Sequence, residues 1–225
     1  MDKIGQNYCG LKIDWDYQNE HVDISMPASV PKALHKYQHP PPKKPQYAPH
    51  AWIPPVYGQK VQHAPQQETL QVLDKKGIKH VQSVTGTFQY HTRAIDPTMI
   101  VAVNELASEQ SKPTAKTIKK CNMLLDYAYT YPNPKIRYHA SDMCLHLDSD
   151  AAYLVQPKAR SRVGGHFYLS DKLPSNTTTP NPPQNGPIHT ECKTIRNVMS
   201  SAAEAETIGI FHNAKTAVPI RNTLE

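Results

Sequence analysis

Hydrophobic and polar positions first alternate across YCGLKIDWDYQNEHVDISM, residues 8–26. Tyr8, Gly10–Leu11 and Ile13 form one arm, Val22, Ile24 and Met26 the other, and Asp16–Glu20 a polar turn, which predicts a β-hairpin. Pro31 to Tyr37 predicts a short helix with proline at its first position. Residues 80–131 then change to helical spacing, with Val81, Val84, Phe88 and His91–Thr92 along one face. Asp96-Pro97 is a cap followed by proline and starts PTMIVAVNELASEQ, and Thr114 opens AKTIKKCNMLLDYAYTY, which ends at Pro132. KIRYHA (135–140) and MCLHLDSDAA (143–152) read as strands close enough to pair. SRVGGHFYL (161–169) and IHTECKTIRNV (188–198) add two more, and SSAAEAETIGIFHNAKTAV closes the chain as a helix. That order predicts an α+β fold with a helix packed on one face of a sheet.

Composition changes the picture between these blocks. The chain of 225 residues holds 21 prolines against 9 glycines. Ten of the prolines fall between Pro27 and Pro65, which excludes regular helix or central strand over most of that stretch. It is expected to run extended, partly as polyproline II, with Tyr47, Trp52 and Tyr57 as anchors. A tether lying on its own protein is the first reading, and a proline-rich ligand for a partner's aromatic groove the second. A polar loop, DKLPSNTTTPNPPQNGP, separates the last two strands.

The net charge of +6 is uneven. Residues 1–140 carry 17 Lys/Arg against 11 Asp/Glu, and residues 141–225 carry 8 against 8. A basic segment beside a neutral one that contains acids fits polyanion binding, as well as a plain solvated surface. Lys116, Lys119 and Lys120 cluster at the start of one predicted helix. Cys9, Cys121, Cys144 and Cys192 are widely spaced with no C-x-x-C pair, so nothing suggests a disulfide framework or a structural zinc site, and Cys144-x-His146 and His189-x-x-Cys192 remain as weak metal half-sites. The start, MDKIGQNYCG, lacks an apolar core, and no apolar run approaches the ~18 residues of a span, so no membrane association and an intracellular location are expected.

Two sources of carboxylates stand out. Asp148 and Asp150 share one face of a strand, so spacing does not separate them, and a charged edge strand explains both. Ser201-Ala-Ala-Glu204 is a capping box, in which Glu204 satisfies the helix start. At about 100° per residue, Glu204 is also expected on the inward face with Thr207, Ile208 and Phe211, and Glu206 on the far side toward Gly209 and Asn213. An acid facing inward is costly unless paired or ligated.

LHLDSDAAYL, ARSRVGGHFYLS, NGPIHTECKTI and VMSSAAEAE, in that order, resemble the ribonuclease H region that ends the polyprotein of copia-type retrotransposons. TGTFQYHTRAIDPTMIVAVNELASEQ and LLDYAYTYPNPKIRYHASD resemble its connection region, and YCGLKIDWDYQNEHVDISM the primer-grip hairpin of reverse transcriptases. The resemblance covers nearly the whole chain, about Tyr8 to Leu224. It implies four parts: 1–38 the end of a palm with its primer-grip hairpin, 39–79 a Pro-rich linker, 80–134 helical thumb or connection, and 135–225 an incomplete ribonuclease H-like mixed sheet with one packed helix.

The resemblance implies Asp150 and Glu204 as catalytic Mg²⁺ ligands, favouring Asp150 over Asp148. It also implies Arg160, Arg162, Gly10 and Leu11 as contacts to nucleic acid. The implied partners are an RNA–DNA hybrid and the remainder of the polyprotein, in a cytoplasmic particle or the nucleus. Two departures limit the carry-over. No two aspartates are adjacent anywhere, so the polymerase turn is absent. The family's third acid lies in a TDN-like strand after the helix, whereas this sequence stops at Leu224-Glu225. An incomplete metal site and little or no activity of this chain alone are therefore expected. A non-catalytic nucleic-acid-binding or interaction protein is the alternative.

Overall fold

The computed structural model describes residues 6–52, 71–156, 158–173 and 181–225. Tyr57 and the part of the Pro-rich stretch within 53–70 lie outside the described residues, as does 174–180 of the polar loop. The chain divides into two compact units. The first contains 6–16, 22–52 and 71–136, the second 17–21 and 137–225. Among the described residues no helix is long and apolar enough to cross a membrane.

In the first unit, β1 (Gln6–Tyr8) and β2 (Leu11–Asp16) pair antiparallel, Tyr8 opposite Leu11. Cys9 and Gly10 make the turn with φ of 51° and 82°, the left-handed geometry of a two-residue hairpin turn. Tyr8 thus belongs to a separate strand, not to one arm with Leu11 as the alternation predicts. β3 (His21–Ser25) follows the Tyr17–Glu20 turn, and the sheet runs in the order β1, β2, β3, β4, with β4 at Lys135–His139. β4 therefore joins the N-terminal strands, where the sequence predicts pairing with its chain neighbour.

Helix α1 (Ser29–Lys36) starts two residues before Pro31, so the proline occupies the third helical position. Helix α2 (Lys75–Ala94) begins inside the segment expected to be extended, capped by Asp74, whose Oδ1 accepts the Gly77 N–H at 2.8 Å. A single 3-10 turn at Pro97–Met99, capped by Asp96, leads into α3 (Ile100–Glu109). Helix α4 (Ala115–Thr130) starts on a Thr114–Thr117 capping box. The predicted stripe Val81, Val84, Phe88, His91 and Thr92 is buried as expected, packing with Leu106, Leu124 and Leu125 around the core. Glu109 ties α3 to α4, accepting from Thr117 Oγ1 at 2.8 Å and from Lys120 Nζ at 2.6 Å.

In the second unit, β5 (Cys144–Gln156), β6 (Arg160–Ser170) and β7 (Pro187–Thr194) form a sheet in the order β5, β6, β7. Both pairings are antiparallel, so these strands are not the mixed sheet the resemblance implies. Helix α5 (Ala202–Leu224) packs on β5 and β6 and continues through Pro219, past the predicted end at Val218. Val163, Ile195, Met199 and Ala205 form the small core beneath it.

Candidate functional site

Strand register assigns each acid of β5 to a face. Asp148 pairs with His166, Ser149 with Gly165, Asp150 with Gly164 and Ala151 with Val163. A methyl placed on Gly209 of α5 would stand 3.2 Å from Val163 Cγ2, 3.5 Å from Ala151 Cβ and 3.6 Å from Ser149 Oγ. The odd-numbered residues of β5 therefore face α5. Successive strand residues point to opposite sides, so His146, Asp148 and Asp150 lie on the face away from the helix.

That second face holds a connected polar group. Tyr168 is buried, hydrogen-bonds Asp148 and packs 5.6 Å from the His146 ring and 5.0 Å from the His166 ring. Burial, then the Asp148 carboxylate, pushes the Tyr168 phenol up from its ordinary value. Gln184 Nε2 also donates to Asp148 Oδ2 at 3.3 Å. Asp150 is exposed opposite Gly164, and among the described residues no hydrogen bond or ion pair holds its carboxylate. The two acids that spacing leaves equivalent thus differ: Asp148 is engaged and Asp150 is available.

Glu204 lies elsewhere. The buried stripe of α5 is Ala205, Gly209 and Asn213, four residues apart. Of the predicted inward face, Ile208 is half-buried against the small core beneath the helix, whereas Thr207 and Phe211 are exposed, Phe211 at 59%, and Glu204 is half-buried at the edge of the stripe. Glu206, half-buried, lies on the side of Gly209 and Asn213 as expected, which is the side the helix buries. The Glu204 carboxylate closes the helix start. It accepts from Ser200 N–H and Ser200 Oγ, both at 2.7 Å, while Ser201 Oγ accepts the Glu204 N–H at 3.1 Å. These hydrogen bonds from Ser200 hold its carboxyl below the usual range. The capping role that the sequence offers for Glu204 accounts for its position.

The remaining candidates are scattered. Arg160 and Arg162 are half-buried on β6, with Arg162 opposite Ala152 and Thr194 on the Asp150 face. Gly10 and Leu11 form and follow the β1–β2 turn, Gly10 exposed and Leu11 half-buried. His189 pairs with Phe167 and Cys192 with Gly164, which puts the two on opposite faces of β7 and dissolves that half-site. Among the described residues no group of three or more His, Cys, Asp or Glu side chains gathers to hold a metal ion. The acids present do not fit the pair of Mg²⁺ ions that the resemblance implies.

Sequence reasoning missed Asn213, which is fully buried and donates through Nδ2 to Ser149 Oγ and to the Gly164 carbonyl, both at 2.8 Å. Its signal is the spacing of small residues at 205, 209 and 213 opposite the Gly164-Gly165 pair. Comparison with protein-family models, with curated proteins and with solved structures finds no match to this chain.

Proposed function

We propose that this chain is a nucleic-acid-binding piece of a copia-type retrotransposon polyprotein, with a ribonuclease H-like second unit that does not cleave on its own. The observation that carries this reading is the order of the second unit. Three antiparallel strands lead into one helix on the sheet, with the aspartate of Ser149-Asp150-Ala151 exposed and unheld in the first strand. The N-terminal hairpin followed by the helices of the first unit is compatible with a primer grip and connection region. Polyanion binding has its own support in α2. Lys75, Lys76 and Lys79 are exposed in its first five residues, where the helix dipole disfavours cations and a phosphate backbone would relieve them.

The acids bear on whether the chain cleaves or only binds. Asp150 points away from α5 and Glu204 is held in its cap, which favours the non-catalytic alternative for the chain alone. An RNA–DNA hybrid labelled on its RNA strand, incubated with the chain and Mg²⁺, is expected to stay intact. Mg²⁺-dependent cleavage that disappears in Asp150→Asn would overturn this reading.

A further inference from the structure

We propose that residues 39–52 present a preorganised ligand for a proline-recognising protein module, one with an aromatic-lined groove and an acidic rim. The inference goes beyond the nucleic-acid reading and does not depend on it. The segment carries prolines at 40, 41, 42, 45 and 49 and contains no helix or strand. Each proline fixes its own φ and restricts the residue before it, so the backbone has few alternatives; it bends at Lys43–Lys44 and again at Pro49–His50.

Its inner edge is pinned to α4. His39 Nε2 meets Asp126 Oδ1 at 2.7 Å, and the Gln46 N–H donates to Thr130 Oγ1 at 3.0 Å. Just upstream, the Tyr37 hydroxyl reaches Thr87 Oγ1 at 2.6 Å and donates to the Ser83 carbonyl at 2.8 Å, fixing the entry to the segment. The outer edge is left to solvent. Pro40, Pro41, Pro45, Lys43 and Lys44 are exposed, and the Tyr47 and Trp52 rings are 74% and 76% exposed. The tether and the ligand are therefore two sides of one segment.

The chemistry of that outer edge selects the partner. Aromatic-lined grooves read successive proline rings on an extended backbone, which Pro40–Pro42 offer ahead of the Lys43–Lys44 bend, with Pro45 beyond it. Lys43 and Lys44 add a positive charge that an acidic rim complements and that suppresses neutral or basic grooves. Pinning to α4 removes ordering cost that a free proline-rich peptide would meet on binding.

The test is calorimetric titration of the full chain with purified SH3 and WW modules that carry acidic rims. At least one module is expected to bind, and Pro41→Ala/Pro45→Ala to weaken it at least tenfold. Lys43→Glu/Lys44→Glu should weaken it severalfold, with the loss shrinking as salt rises. Asp126→Ala/Thr130→Val should also weaken it severalfold, although neither residue belongs to the outer edge. Circular dichroism shows whether each variant keeps its helices. The proposal is overturned if no module binds, or if binding is indifferent to the two prolines. It is equally overturned if single-stranded oligonucleotides bind in place of any module and lose that binding in Tyr47→Ala/Trp52→Ala.

Discussion

Asn213 of α5 and Gly165 of β6 meet closely in the second unit. A Cβ on Gly165 would collide with the Asn213 side-chain oxygen, and the Asn213 amide nitrogen makes two buried hydrogen bonds. Asn213→Ala is expected to cost about 1–3 kcal/mol in denaturant unfolding, because Ser149 Oγ and the Gly164 carbonyl lose their donor. Gly165→Ala should cost a comparable ~1–3 kcal/mol by overpacking. The double variant should lose less than the sum, since removing the amide also removes the collision. Glu204 supplies a prediction of opposite kind. Its carboxyl is held below the usual range by Ser200, so the cap contributes stability above the ordinary carboxylate pKa and loses it as pH falls through the folded value. Acid-induced unfolding of the second unit should be less steep in Glu204→Gln, and an unchanged profile would contradict the cap. Both residues show what the sequence hides: α5 buries its small residues and exposes Ile210 and Phe211, so hydrophobic phase alone points to the wrong face.

At the scale of elements, the helices of the first unit were the most legible, because Val81, Val84 and Phe88 face one core and follow its period. His91 ends that stripe, buried beside Phe88, with Nδ1 hydrogen-bonded to Ser29 Oγ at 2.9 Å. Burial lowers its pKa and Asp96 offsets part of that. The folded state therefore resists protonation: stability is present above the ordinary histidine range and lost as pH falls below it. Thermal unfolding of the first unit should move to lower temperature between about pH 7 and pH 5, where unperturbed histidine titrates, and His91→Gln should flatten that dependence. The partner of β4 was not legible. Ala140–Met143 separate β4 from β5 by only four residues, but Ala140 N–H donates to the Glu20 carbonyl and Met143 turns the chain at φ 59°. Nearness along the chain predicts pairing only when the connection is a hairpin turn. Capping residues carried more information, since Asp74, Thr114 and Ser201 open their helices by side-chain chemistry visible in the sequence.

For the molecule as a whole, the charge partition has a structural counterpart. Two basic side chains of the first unit are paired with acids of the same unit: Lys12 with Asp14 at 2.7 Å, and Lys120 with Glu109 at 2.6 Å. Burial works against the Lys120 charge, but Glu109 and Glu105 more than offset it and raise its pKa. It is therefore not available to the basic face predicted with Lys116 and Lys119. The exposed lysines at the start of α2 remain for a polyanion. Motif order sets Asp150 on a strand and Glu204 at a helix start, but whether the two acids meet depends on side-chain direction, which motif order does not encode. The most direct test of the polyanion-binding account is the affinity of the full chain for an RNA–DNA hybrid measured across a range of salt concentrations. The account predicts that log K falls linearly with log salt, independently of hybrid sequence. In Lys75→Ala/Lys76→Ala/Lys79→Ala the slope should shrink by about 1 for each phosphate contact removed. No measurable binding, or binding with a flat salt dependence, would contradict it.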